Sequence, residues 1–304
     1  MTHIYKRMCW SSAALALLAL TLAGPAPSRA LADPLKEYLA IGDSVAFGAN
    51  PLRDPQDADN FIGYPSPVAE AFEERLTNPS CPGETSSHFI SLSGADLNCG
   101  LYRHSHPLHV SYATSQLDFA DAFLASHPDT RLVSIDIGAN DLFSLQAHCL
   151  GDITCILQGL PTMLATLSAN LDTIYAHIRT QDRYRHKLVA LTYYSLNYAD
   201  RTTTYAISQV NQKVAERTLA WRGIVADAFG PFAAASALYN GDTCAAGLRI
   251  VLTKSPLTCD IHPSRAGRKL LARTILEALR PDDLDGWRGA SATPAPAYQS
   301  QPPM

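Results

Sequence analysis

Ser44 follows a short apolar run, Tyr38-Leu39-Ala40-Ile41, and closes the tripeptide Gly42-Asp43-Ser44. A serine just past a strand stands at the rim of a sheet, where a cleft can open, and that is a suitable address for a nucleophile. Alone, the tripeptide is also ordinary turn chemistry. Three further strings follow it in order: Cys81-Pro82-Gly83-Glu84-Thr85, Gly138-Ala139-Asn140-Asp141 and Asp260-Ile261-His262-Pro263. A serine hydroxyl needs a base to take its proton as it attacks, and His262, expected on a loop before a C-terminal helix, is the best candidate for that base.

These four strings resemble the GDSL-type, or SGNH, hydrolase family, named for the serine, glycine, asparagine and histidine of its site. The matching residues are Ser44, Gly83, Asn140 and His262, and the resemblance runs from about Tyr38 to about Leu279. It implies an esterase or lipase-like acylhydrolase that works through an acyl-enzyme on Ser44. It also implies an oxyanion hole built from the backbone N–H groups of Ser44 and Gly83 and the side-chain amide of Asn140. Asp141 reads as the better helix cap of the Asn140-Asp141 pair. Asp43 reads as a structural group that binds loop amides. Taken alone, Gly83 is also a plain turn residue, and Gly94 is a rival for its role.

The chain departs from the family at one point. The family acid stands three residues before the histidine, where this sequence has Cys259; the nearest carboxylate is Asp260, two residues before. Three groups compete to orient the His262 ring: the Asp260 side chain, the Cys259 carbonyl and an ordered water. A slight preference goes to the carbonyl, since neighbouring side chains need a sharp turn to aim at one ring.

Composition and targeting signals narrow the setting. Lys6 and Arg7 precede an apolar run, Ala13 to Ala23, too short to span a bilayer comfortably, and Ala30-Leu31-Ala32 fits small-x-small cleavage. Residues 1–32 therefore read as a signal peptide and 33–280 as one hydrolase domain, exported from the cytoplasm and not inserted in the membrane after cleavage. Cleavage removes Lys6, Arg7 and Arg29 and no acid, taking the formal net charge from −4 to −7. With no basic cluster, nucleic acid is excluded as a partner. Cys9 goes with the leader, and the six remaining cysteines read as disulfides, most simply Cys81–Cys99, Cys149–Cys155 and Cys244–Cys259. There is no Cys-x-x-Cys pair, and His104, His106 and His109 lack an acidic partner, so neither a metal nor a cofactor is expected. A monomer acting on a small ester or lipid is the expected form.

The segments that must position these residues alternate in period. Strands are expected at Tyr38–Ile41, His88–Leu92, Leu132–Ile137, Leu188–Tyr193 and Gly223–Ala226. Helices are expected at Ser115–Ser126, Leu160–Thr180, Ser208–Trp221 and Ser264–Leu279. That alternation implies an α/β three-layer sandwich with a parallel five-stranded, flavodoxin-like sheet and helices on both faces, ligands lying beyond the carboxyl ends of the strands. Residues 281–304, rich in Pro, Ala, Ser and Gln, read as a disordered tail. Tyr193, Tyr194 and Tyr198 could line an acyl or aromatic pocket. Acyl transfer or polysaccharide deacetylation would use the same residues, and a non-catalytic lipid- or carbohydrate-binding module is the alternative outside enzymes.

Overall fold

The computed structural model describes residues 36–279; the expected leader and tail lie outside the described residues. In chain order the elements are β1 (Glu37–Gly42), α1 (Ser44–Phe47), α2 (Pro65–Phe72), β2 (Arg75–Thr77), α3 (Ser86–Ile90), α4 (Cys99–Ser105), α5 (Gln116–Ser126), β3 (Leu132–Asp136) and α6 (Ala139–His148). They continue with α7 (Ile153–Ala176), β4 (Lys187–Leu191), α8 (Arg201–Ala220), β5 (Ile224–Ala226), α9 (Phe229–Ser236), β6 (Arg249–Lys254), β7 (Leu257–Pro263) and α10 (Arg265–Ala278).

β1 to β5 form one parallel sheet in the order β2-β1-β3-β4-β5. Every residue of β1 and β3 is buried, as a parallel sheet covered on both faces requires. On one face α7 packs against α3, α6 and α8, while on the other α10 packs against α2 and α9. α7 shows why such a helix forms. Leu160, Leu164, Leu167, Leu171 and Ile174 repeat at three- and four-residue spacing and are all buried, and the Asp152 carboxylate caps the first turn by accepting from Cys155 N.

Two expectations change. The segment His88–Leu92 is not a strand but lies largely in α3, because Thr85 accepts a hydrogen bond from His88 N and starts a helix there. The true second strand is the three-residue edge strand Arg75–Thr77. His262 lies not on a loop but near the end of β7, which pairs antiparallel with β6 in a separate two-stranded sheet. All three expected disulfides are present.

Candidate active site

Ser44 begins α1 directly beyond β1. The turn between them needs Gly42, whose φ is +145° and where a Cβ would come within 2.3 Å of the Asp136 carbonyl. The Asp43 carboxylate accepts from Val45 N at 2.9 Å and from the Tyr193 hydroxyl at 2.6 Å. Behind it, Asp136 accepts from Ala46 N and from the Tyr64 hydroxyl. Burial, then the charge of Asp43, pushes Asp136 well above the ordinary carboxyl value.

The Gly83 loop docks on this turn. Cys81 N donates to the Gly42 carbonyl at 3.1 Å. The Gln116 side chain reads both backbone groups of Gly42, accepting from its N–H at 2.6 Å and donating to its carbonyl at 3.0 Å. The same amide donates to Glu84 at 2.9 Å. Glu84 is fully buried, pairs with the His88 ring at 2.5 Å and, through its backbone carbonyl, accepts from the Asn140 side chain at 2.9 Å. Gly83 has φ +85°, and a Cβ there would press on Asn98 and Cys99 at 3.0 Å. One buried carboxylate and its own backbone thus tie the first three sequence strings together.

Asn140 sits in the first turn of α6, whose N-cap is Gly138. Asp141 does not cap that helix. Its carboxylate instead crosses to α3, accepting from Ser86 N at 2.9 Å and from the Ser86 hydroxyl at 2.5 Å.

His262 comes from the hairpin. The Asp260 carboxylate accepts from His262 N at 2.9 Å and contacts the His262 ring at Nδ1. The preference for the Cys259 carbonyl does not hold: along an extended strand, residues i and i+2 share a face, so both side chains project to the same side without a sharp turn. Burial opposes charge on Asp260, but the His262 ring and backbone N–H outweigh it and hold the carboxyl below its ordinary value.

Ser44, Asn140 and His262 line one cavity of about 100 Å³, open on one side and reaching outward between α6 and α8. Gly83 does not line it but stands beside Glu84, whose carbonyl fixes Asn140. Of the three tyrosines, Tyr193 and Tyr194 line the cavity; the Tyr198 hydroxyl instead donates to the Phe229 carbonyl at 2.6 Å. Among the described residues one metal-like cluster occurs, Cys81, Glu84 and Cys99. Its two sulfurs are bonded to each other and carry no lone thiolate for an ion.

The profile of the GDSL-like Lipase/Acylhydrolase family matches residues 40–270. The chain belongs to this family. Membership makes this GDSL-like acylhydrolase a carboxylic ester hydrolase. It is similar in fold to a phospholipase A1 from Streptomyces albidoflavus, at 19% identity and a TM-score of 0.52 over 81% of this chain and 100% of that one. It is likewise similar to an extracellular lipase from Streptomyces rimosus (19%, 0.53, 80% and 99%). An acetylxylan esterase from Geobacillus stearothermophilus is a third structure of the same fold (16%, 0.52, 80% and 94%). A search of curated proteins found no match.

Sequence reasoning passed over the groups that hold this acylhydrolase's site in place. Asp136 ends an apolar strand, Gln116 opens a helix, and Glu84 and His88 stand four apart on what read as a turn and a strand. The one available signal was the cluster of ionisable residues in otherwise apolar surroundings.

Proposed function

We propose that this acylhydrolase cleaves carboxylic esters through an acyl-enzyme on Ser44. The observation that carries the reading is that Ser44, Asn140 and His262 face one cavity while Asp260 engages the far nitrogen of the His262 ring. As the Ser44 oxygen bonds to the ester carbonyl carbon, its proton passes to His262 Nε2. Asp260 holds the tautomer that leaves Nε2 free to accept it, and stabilises the imidazolium. The carbonyl π pair moves onto oxygen, giving a tetrahedral oxyanion. Asn140 has two amide N–H groups; the bond to the Glu84 carbonyl fixes the amide plane and leaves the second for that oxyanion, beside the N–H group of Ser44. Collapse breaks the bond to the alcohol, which leaves with the proton from Nε2. Water then repeats the sequence on the acyl-enzyme and frees the acid.

Residues 1–32 act in this reading as an export leader, and the three disulfides suit an oxidising compartment. Among the described residues no helix is long and apolar enough to cross a membrane. N-terminal sequencing of the exported chain should find Asp33 first.

The test is labelling by a fluorophosphonate, with the adduct mapped by mass spectrometry, beside turnover of p-nitrophenyl esters. The adduct should fall on Ser44, and Ser44→Ala should lower kcat by about 10⁵–10⁶-fold with the circular dichroism spectrum unchanged. A folded Ser44→Ala variant that still turns over would remove Ser44 from the mechanism.

A further inference from the structure

We propose that the cavity beside Ser44 is a chain site for a medium-length fatty acyl group, and that esters of acids near eight carbons are the preferred substrates. The inference rests on the acyl-enzyme reading above and names the acyl group it handles.

Away from Ser44 the walls are carbon. Leu142 and Phe143 of α6 face the cavity from one side, Ile207 of α8 from another, and Leu196 and Ile261 complete it. The polar groups beside them are turned to the protein. The Tyr193 hydroxyl donates to Asp43, the Tyr194 hydroxyl donates to the Ile261 carbonyl at 2.7 Å, and the Ser195 hydroxyl is bonded to that of Thr204 at 2.8 Å. What both tyrosines leave for a ligand is ring surface. Apart from His262, the only ionisable carboxyl or basic group lining the cavity is Asp43, itself buried and bonded; no Lys, Arg or Glu lines it. A sugar hydroxyl placed against such walls would lose its water without gaining a partner. An alkyl chain loses nothing there and gains by leaving water.

Length follows from the helix. Asn140 is buried at the inner end of the cavity, and exposure rises along α6 to the half-buried Gln146, which with the exposed Thr203 marks the polar rim. The six-residue step from Asn140 to Gln146 is about 9 Å along a helix axis. An extended chain advances about 1.2 Å per bond, so about seven bonds carry an acyl chain from the inner end to the rim. Beyond that, further methylenes meet an amide, a hydroxyl and solvent.

The test is kcat/KM for p-nitrophenyl esters from acetyl to dodecanoyl, with an acetylated xylo-oligosaccharide alongside and fluorophosphonate labelling on the same preparation. Full burial of a methylene is worth about fourfold; along a cleft open on one side about twofold per methylene is expected. That gives roughly a 50-fold rise from acetyl to octanoyl, then a plateau. Ile207→Trp should lower the octanoyl-to-acetyl ratio of kcat/KM at least tenfold by filling the channel. Phe143→Ala, at a half-buried position where folding is less at risk, should lower it about threefold by removing wall. A profile that is flat or falls from acetyl, a faster reaction with the acetylated sugar, or an unaltered ratio in both folded variants overturns the chain site while Ser44 labelling still stands. Absence of labelling and of all turnover sinks the acyl-enzyme reading, and this inference with it.

Discussion

Ser44 and His262 face the same cavity from two differently built regions. Around Ser44 almost every turn group is held from several directions. Gly42 is bonded through both backbone groups by Gln116 and also by Cys81, Asp43 N donates to the Asp136 carbonyl, and Asp136, Tyr193 and Tyr64 close the space beneath. All of this sits on the five-stranded sheet and out of water. Around His262 the structure is thin. β6 and β7 pair alone, with register shifts, and Leu252, Leu257 and Ile261 are exposed. The ring and its carboxylate are each about one-fifth exposed. Its ties are the Cys244–Cys259 bridge, the Tyr194 bond to the Ile261 carbonyl and the Ser264 N bond to the Leu248 carbonyl. The contrast fits the two proposed tasks. An oxyanion donor works only where it is already aimed, since reorganisation would consume its benefit. A base must serve two partners in turn, the serine and the leaving oxygen, and a lighter mounting serves that.

After loss of Ser44 itself, breaking the lighter region at its chemistry should have the largest effect. Asp260→Asn leaves a side chain of the same shape but favours the wrong ring tautomer, so kcat should fall on the order of 10⁴-fold, with folding checked by circular dichroism. A loss of only tenfold would return the orienting role to a backbone acceptor. In the denser region, Asn140→Ala should lower kcat about 10²–10³-fold with a smaller change in KM. A change confined to KM would make Asn140 a ground-state contact.

The disulfides sharpen the contrast further. Replacing Cys244 and Cys259 by serine opens a link spanning 15 residues, worth up to about 3 kcal/mol of stability. It should also lower kcat about tenfold under conditions where the chain stays folded. Replacing Cys149 and Cys155, which bridge the link between α6 and α7, should cost stability with little change in kcat. Urea melts and turnover on both variants decide it; equal kcat losses would erase the distinction between the two regions.

The smallest effect lies beneath Ser44. Asp136 is raised by burial, so the folded chain keeps a proton that the unfolded chain releases. A raised value means stability complete below the ordinary carboxyl range and lost as pH rises. Asp136→Asn has no proton to give up. The fall of unfolding free energy with pH above the ordinary carboxyl range should therefore be shallower in the variant; an unchanged slope would place the proton elsewhere.

The denser region was the more legible in sequence. β1, β3, β4 and β5 are apolar runs at strand length, and the motif residues Ser44 and Asn140 fall just past β1 and β3. β2 was misplaced because a three-residue edge strand carries no period, whereas His88-Phe89-Ile90 does look apolar and β-prone; the Thr85 cap decided for helix. The hairpin went unseen although its signal was present. Leu257, Cys259 and Ile261 alternate with Thr258, Asp260 and His262, after a Ser255-Pro256 turn. Reading that alternation would have put Asp260 and His262 on one face. Glu84, Gln116 and Asp136 were out of reach, because their roles come from partners 32 to 90 residues away along the chain.

The order of the motifs along the chain also sets an order in time. Synthesis runs from the N-terminus, so the strands that lead to Ser44 and Asn140 are complete while the hairpin is still to come. His262 arrives last, and the bridge that fastens its strand closes only where thiols can be oxidised. Until both have happened Ser44 and Asn140 stand without the strand that brings His262 to their cavity, and the site of this acylhydrolase is incomplete.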